Sequence, residues 1–152
     1  MGGKFYEDLA IGERFSTSAH TISQADINRF ADLSGDYNPI HLDSEFARHT
    51  PFGQPIAHGL LIVSRLSGLV ERSGLHEGTI VALRRMEKIE FINPVFAGDS
   101  IHGELAVLDK QDKETAGLVK FGLKGMNQQR KVVVEMTYDV LLRKRNAHAQ
   151  PK

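Results

Sequence analysis

The chain has 152 residues, 41% of them hydrophobic and 25% charged, an ordinary globular composition long enough to enclose a full core. Lysine plus arginine (19) equals aspartate plus glutamate (19), so no net field draws nucleic acid or an anionic membrane surface. There is no cysteine, which excludes disulfides, thiolate metal sites and a cysteine nucleophile.

Residues 1–152 read as a single domain. No apolar run approaches the roughly 18–20 residues of a membrane span. The opening MGGKFYEDLA lacks the basic-then-apolar order of a signal peptide, and Tyr6 stands where a myristoylation motif wants Ser or Thr. A cytoplasmic protein is expected.

Met1 to Gly12 is polar and mixed, and reads as a loosely held lead-in. Glu13 to Thr21 is expected to be a first strand. Ile22 to Gly35 carries a full set of helix signals. Ser23 is the N-cap, Asp26 stands three residues on as in a capping box, and Ile22 and Ile27 occupy the hydrophobic-staple positions. Ile27, Phe30, Ala31 and Ser34 then share a face, and Gly35 is a left-handed stop. Asp43 is placed to cap a second, short helix carrying Phe46 and Ala47. Pro51, Gly53 and Pro55 make Thr50 to Ala57 a loop. From His58 to Ser73 the apolar residues cover most of a helix circumference, which predicts a buried helix stopped by Arg72 and Gly74.

The period then changes from helical to alternating. Val81, Leu83, Ile89 and Phe91 form one bent strand or two, and Pro94 and Gly98-Asp99 make a turn. Ile101, Leu105 and Val107 share one strand face, Val119, Phe121 and Leu123 another, and Val132 to Val140 a third. Lys110–Glu114 and Asn127–Arg130 are polar hairpin connections, and the basic tail 143–152 is expected to fray. Helices early and strands late argue an α+β fold whose antiparallel sheet curls around the apolar helix.

Asp36 and His41, separated by the stiff turn Asn38-Pro39, are a candidate acid/base pair, since imidazole is matched to proton transfer near neutral pH. The same residues also read as plain turn and cap residues with a surface histidine. His58-Gly59 opens the buried helix, whose first N–H groups suit an oxygen gaining negative charge. Gly59 would let a substrate oxygen approach, although packing against a strand is the plainer reason for a glycine there. Ser67 faces the same cavity or back-bonds to its own helix. His41, His49 and His58 with Asp43 fit no compact ligand spacing, so no metal is expected. Arg84, Arg85 and Lys88 could meet an anionic cofactor such as the phosphates of coenzyme A, or simply solvate a strand edge.

The run Phe30-x-x-Leu33-Ser34-Gly35-Asp36-Tyr37-Asn38-Pro39-Ile40-His41, with Ala47 beyond it, resembles the signature of the MaoC-like family, the (R)-specific enoyl-CoA hydratases also called hydratase 2. Pro55-Ile56-Ala57-His58-Gly59-Leu60-Leu61 with Ser67-Gly68 resembles that family's next block, and Phe91-x-x-Pro94-Val95-x-x-Gly98-Asp99 its third.

The resemblance implies a hot-dog fold around the helix His58 to Ser73, and a homodimer or larger homo-oligomer with sites at the subunit interface. It implies Asp36 and His41 as the catalytic pair and the Gly59 N–H as the oxyanion hole. Asn38, His58 and Ser67 would be supporting residues, Asn38 ordering the turn. The reaction implied is reversible syn addition of water to a trans-2-enoyl-CoA, giving an (R)-3-hydroxyacyl-CoA. It uses no metal or redox cofactor, coenzyme A being part of the substrate. Tyr37, Phe52 and Leu60 to Val63 are candidates for lining the acyl cavity. The alternatives are a hot-dog thioesterase and a non-catalytic acyl-CoA-binding subunit.

Overall fold

The computed structural model describes residues 2–146. Six strands form one antiparallel sheet: β1 (Arg14–Ser16), β2 (His20–Thr21), β3 (Ile80–Phe91), β4 (Ser100–Asp112), β5 (Ala116–Asn127) and β6 (Val132–Arg143). The main path runs β1-β4-β5-β6-β3, with β2 also on β4. Four helices precede the long strands: α1 (Gln24–Ser34), α2 (Pro39–Leu42), α3 (Ser44–Arg48) and α4 (Gly59–Arg72).

The alternating pattern read in β4 to β6 sets the sheet's inner face. Register aligns Leu105 with Leu123 and Leu123 with Met136, and the next rung holds Val107, Phe121 and Tyr138, all of them buried. α4 lies along this face and buries Leu61, Ile62, Val63, Leu66, Leu69 and Val70, each burial stabilising by about 1.5–3 kcal/mol. Close approach needs missing side chains in the sheet. Leu66 sits over Gly125, where a β-carbon would lie 2.6 Å from its Cδ1, and next to Gly103. This is the hot-dog arrangement, a sheet wrapped on a central helix.

α1 begins and ends as its sequence signals predict. The Ser23 hydroxyl accepts from the Asp26 N–H at 3.0 Å, the Asp26 carboxylate accepts from the Ser23 N–H at 3.1 Å, and Gly35 takes φ 77°. Asp43 caps α3 by accepting from the Glu45 and Phe46 N–H groups, with Ala47 buried and Phe46 exposed.

Several expectations are corrected. The lead-in is held: the Gly3 and Lys4 N–H groups donate to the Glu77 and Leu75 carbonyls, Leu9 is buried, and Tyr6–Asp8 makes a 3₁₀ turn. The first strand is two short pieces: Thr17 still bonds Gly103 of β4 through its N–H and its hydroxyl, and regular pairing resumes at His20. The turn at Asn38-Pro39 is itself the start of α2, since a proline at the first helical position sacrifices no hydrogen bond. α4 is not buried all round. Leu60, Ser64, Ser67, Gly68 and Glu71 form an exposed stripe, because the sheet covers one side of the helix only. β3 is one strand, bent by three register shifts against β6, with Lys88 at φ 53° beside the last. The tail does not fray at once. β6 runs through Arg143, Lys144 pairs with Asp112 at 2.6 Å, and Arg145 forks both Asp8 oxygens at 2.6 and 2.7 Å. The rest of the expected frayed segment, 147–152, lies outside the described residues. Among the described residues no helix is long and apolar enough to cross a membrane.

Candidate active site

The site begins where α1 stops. Ser34 turns its hydroxyl back to donate to the Phe30 carbonyl at 2.6 Å and accepts from the Asp36 N–H at 3.2 Å. Asp36 Oδ1 accepts from the Asn38 N–H, and Asn38 Oδ1 accepts from the Ile40 N–H, each at 3.1 Å. Asn38 is thus the N-cap of α2, whose single turn carries His41. Asp36 Oδ2 faces His41 Nε2 at 3.8 Å, a gap wider than a direct hydrogen bond and able to admit one small polar group touching both. The Asp36 side chain is 51% exposed and that of His41 only 12%, so the carboxylate stands at the mouth and the imidazole inside.

Both histidine tautomers follow from their partners, since a carbonyl only accepts. His41 Nδ1–H donates to the Ile56 carbonyl at 2.7 Å, which leaves Nε2 as the nitrogen turned towards Asp36. His58, fully buried, donates its Nε2–H to the Asp36 main-chain carbonyl at 2.9 Å. Its Nδ1 is buried without a hydrogen-bond partner. The two rings stack, centroids 3.9 Å and planes 28° apart, with Phe30 tilted against His58 at 5.0 Å.

The pair opens into a cavity of about 540 Å³, lined by Phe52, Leu60, Ile62, Phe91 and Val133 besides Asp36, His41, His58 and Gly59. Gly59 is the first residue of α4, so its N–H has no acceptor within the helix, and the residue lines this cavity. Packing accounts for the glycine, because a β-carbon there would lie 2.7 Å from the Phe91 ring.

Asp36, His41 and His58 bring polar atoms within 4.8 Å of one another, a donor set of metal-binding kind that does not include His49 or Asp43. One nitrogen of each ring donates to a carbonyl, which leaves His41 Nε2 and His58 Nδ1 as the free nitrogens of the set.

The sequence-derived residues divide accordingly. Asp36, His41, His58 and Gly59 are brought together, and Asn38 shapes their turn. Ser67 is not in this cavity. It lies eight positions beyond Gly59, roughly 12 Å along the helix, and lines a second hollow of about 350 Å³ with Val63, Val70, Glu71 and Tyr138. Burial there pushes the Tyr138 phenol above its ordinary range, with Glu71 adding to the shift. Of the proposed acyl-lining residues, Phe52, Leu60 and Ile62 reach the catalytic cavity, whereas Tyr37 points away to donate its hydroxyl to Asp32 at 2.8 Å. Arg84 and Arg85 line a separate hollow with Lys113, away from the catalytic pair. Phe91, Asn93 and Val133 were missed as cavity residues. For Phe91 the signal was its place three residues before Pro94; nothing local marked the others.

A family model described as MaoC like domain matches residues 7–137. The chain is 36% identical over 113 residues to the (R)-specific enoyl-CoA hydratase of Aeromonas caviae, covering 74% of this chain and 81% of that one. It is 34% identical over 110 residues to protein MaoC of Klebsiella aerogenes, 72% of this chain but only 32% of that longer protein. Among solved structures, a monoamine oxidase regulatory protein from Archaeoglobus fulgius superposes with TM-score 0.89 at 35% identity, over 95% of this chain and 97% of that one. A Mycobacterium tuberculosis protein described as a double hotdog fold superposes with TM-score 0.79 at 18% identity, over 99% of this chain and 47% of that one, a likeness of fold alone.

Proposed function

The chain belongs to the MaoC-like dehydratase family, and on that premise we propose that it is a hydro-lyase adding water reversibly to a trans-2-enoyl-CoA to give an (R)-3-hydroxyacyl-CoA. The observation that carries this reading is the 3.8 Å gap between Asp36 Oδ2 and His41 Nε2, opening on a cavity that Gly59, the first residue of α4, also lines.

A water ~2.8 Å from both groups would bridge that gap. With the thioester carbonyl at the Gly59 N–H, enolate charge would develop at the helix N-terminus. One member of the pair takes a proton from the water as its oxygen attacks C3, and the other delivers a proton to C2. Both groups stand on the same side of the substrate, which gives syn addition. These steps need no metal or redox group, and an acyl-CoA substrate fits a cytoplasmic setting.

The active unit in this reading is a homodimer. β3 is an edge strand of the described sheet, with Val81, Leu83 and Phe91 half exposed beside the bare stripe of α4. A second copy joined at this edge would extend the sheet and cover the apolar surface.

The test is loss of enoyl absorbance with crotonyl-CoA and a longer 2-enoyl-CoA, for wild type, Asp36→Asn and His41→Gln. Turnover by wild type, reduced ~10²- to 10⁴-fold in each variant, is expected. Thiol release without hydration would overturn the reading in favour of a thioesterase.

A further inference from the structure

We propose that His58 is a positioning residue of the hydration site: its Nε2–H anchors the main chain of Asp36, and its ring backs the His41 imidazole that faces the Asp36 carboxylate. The kinetic consequence rests on the hydratase reading, whereas the tautomer assignment rests on geometry alone.

Three observations converge. The His58 Nε2–H donates to the Asp36 carbonyl at 2.9 Å, so the backbone that presents the carboxylate is tied to the N-cap of α4. His58 Nδ1 is buried with no hydrogen-bond partner, so the Asp36 carbonyl is the one group this ring ties. The His41 ring stacks on it at 3.9 Å, so His58 also limits how the imidazole beside the carboxylate can tilt.

His41 is held from two sides. Its Nδ1–H donates to the Ile56 carbonyl, and its Nε2 faces the Asp36 carboxylate. Asp36 is the one other titratable side chain lining this cavity, Ser34 and Asn93 being its remaining polar ones.

His58 makes its hydrogen bond to the Asp36 main chain and none to the carboxylate. Its effect is on how the two reacting groups are aimed. A misplacement of about 1 Å in such a pair costs on the order of 10²-fold in rate.

Two measurements decide it. In wild type, long-range 1H–15N NMR should find His58 in the Nε2–H tautomer and His41 in the Nδ1–H tautomer. Kinetically, His58→Phe keeps the stack and removes the donor. Its kcat for enoyl-CoA hydration should fall about 10- to 100-fold with KM within about threefold. His58→Gln, which restores an N–H donor, should recover part of the lost kcat.

A His58 that carries its proton on Nδ1 overturns the proposal. So does a folded His58→Phe with wild-type kcat, or one altered in KM alone. If wild type hydrates no enoyl thioester, the hydratase reading fails while the NMR result still decides the role of His58. If His58→Phe does not fold, the NMR result and His58→Gln decide it together.

Discussion

The edge of the Phe91 ring occupies the space that a side chain on Gly59 would fill, with a built β-carbon 2.7 Å from Cε1 and 2.8 Å from Cζ. Strand β3 and helix α4 thus meet at the cavity that Asp36 and His41 line, and the glycine is fixed from outside its helix.

Gly59→Ala should therefore lose activity and keep its fold. The added methyl pushes Phe91, which is half exposed and able to swing, so the strain is relieved at the cavity and not in the core. We expect Tm within a few degrees of wild type and kcat/KM down at least about tenfold. The double variant Gly59→Ala/Phe91→Ala should regain part of that loss. An alanine variant with full activity would show that the Gly59 N–H tolerates a crowded approach.

Acid stability should depend on Asp26. The Ser23 N–H donating to its carboxylate holds Asp26 below the usual carboxylate range against the opposing effect of burial, with His20, the Ser23 hydroxyl and Arg65 helping. A depressed folded-state value gives stabilisation that is complete above the unfolded value, about 3.9. It is lost as pH falls through the folded value. Asp26→Asn should thus cost about 1 kcal/mol at pH 7, seen as a Tm lower by roughly 2–4 °C. The difference between variant and wild type should narrow towards zero as pH is taken well below the folded value. Thermal unfolding across that range checks both points.

Gly117 carries a prediction about the first residues. A β-carbon there would run into the Tyr6 ring, which also lies 4.3 Å beneath the Lys110 ammonium. Gly117→Ala should displace the segment from Gly3 to Leu9 and destabilise by about 1–3 kcal/mol. Hydrogen exchange at the Gly3 and Lys4 amides, protected in wild type by the Glu77 and Leu75 carbonyls, should speed up more than exchange in β5.

The free edge of β3 yields a fourth. Val81→Asp/Leu83→Asp places two carboxylates where the half-exposed apolar face would meet a second copy. Sedimentation should find wild type at twice the chain mass and the variant at the chain mass, with hydratase activity lost alongside. A wild-type monomer with full activity would rule out the joined-sheet arrangement.

What the sequence revealed and what it hid follow one physical line. The limits of α1, its cap and the left-handed Gly35 are encoded within a few residues, and so they could be read directly. The same holds for the turn that presents Asp36 and His41. The stacking of His41 on His58 could not be read, because two rings on different elements meet only when the loop 49–57 folds back. The hold on the lead-in was invisible for the same reason, its partners Leu75, Glu77 and Gly117 lying far along the chain. The open stripe on α4 shows a different limit. Leu60 is as apolar as Leu61, and no periodicity says which of two leucines a one-sided sheet leaves uncovered.

The bonds that shape Ser34 to Ile40 have a consequence for how this protein can change. Ser34 to Phe30, Asp36 to Ser34, Asn38 to Asp36 and Ile40 to Asn38 are all short-range, each closing a ring of a few residues. The long-range ties to this turn run to Ile56 and His58, which precede the sheet's long strands. The chemical apparatus is in this sense a cassette, self-shaped and fastened at few points. Mutations that reline the space under the sheet leave these short-range bonds alone, so on the hydratase reading new acyl groups could be accommodated with the Asp36–His41 geometry kept.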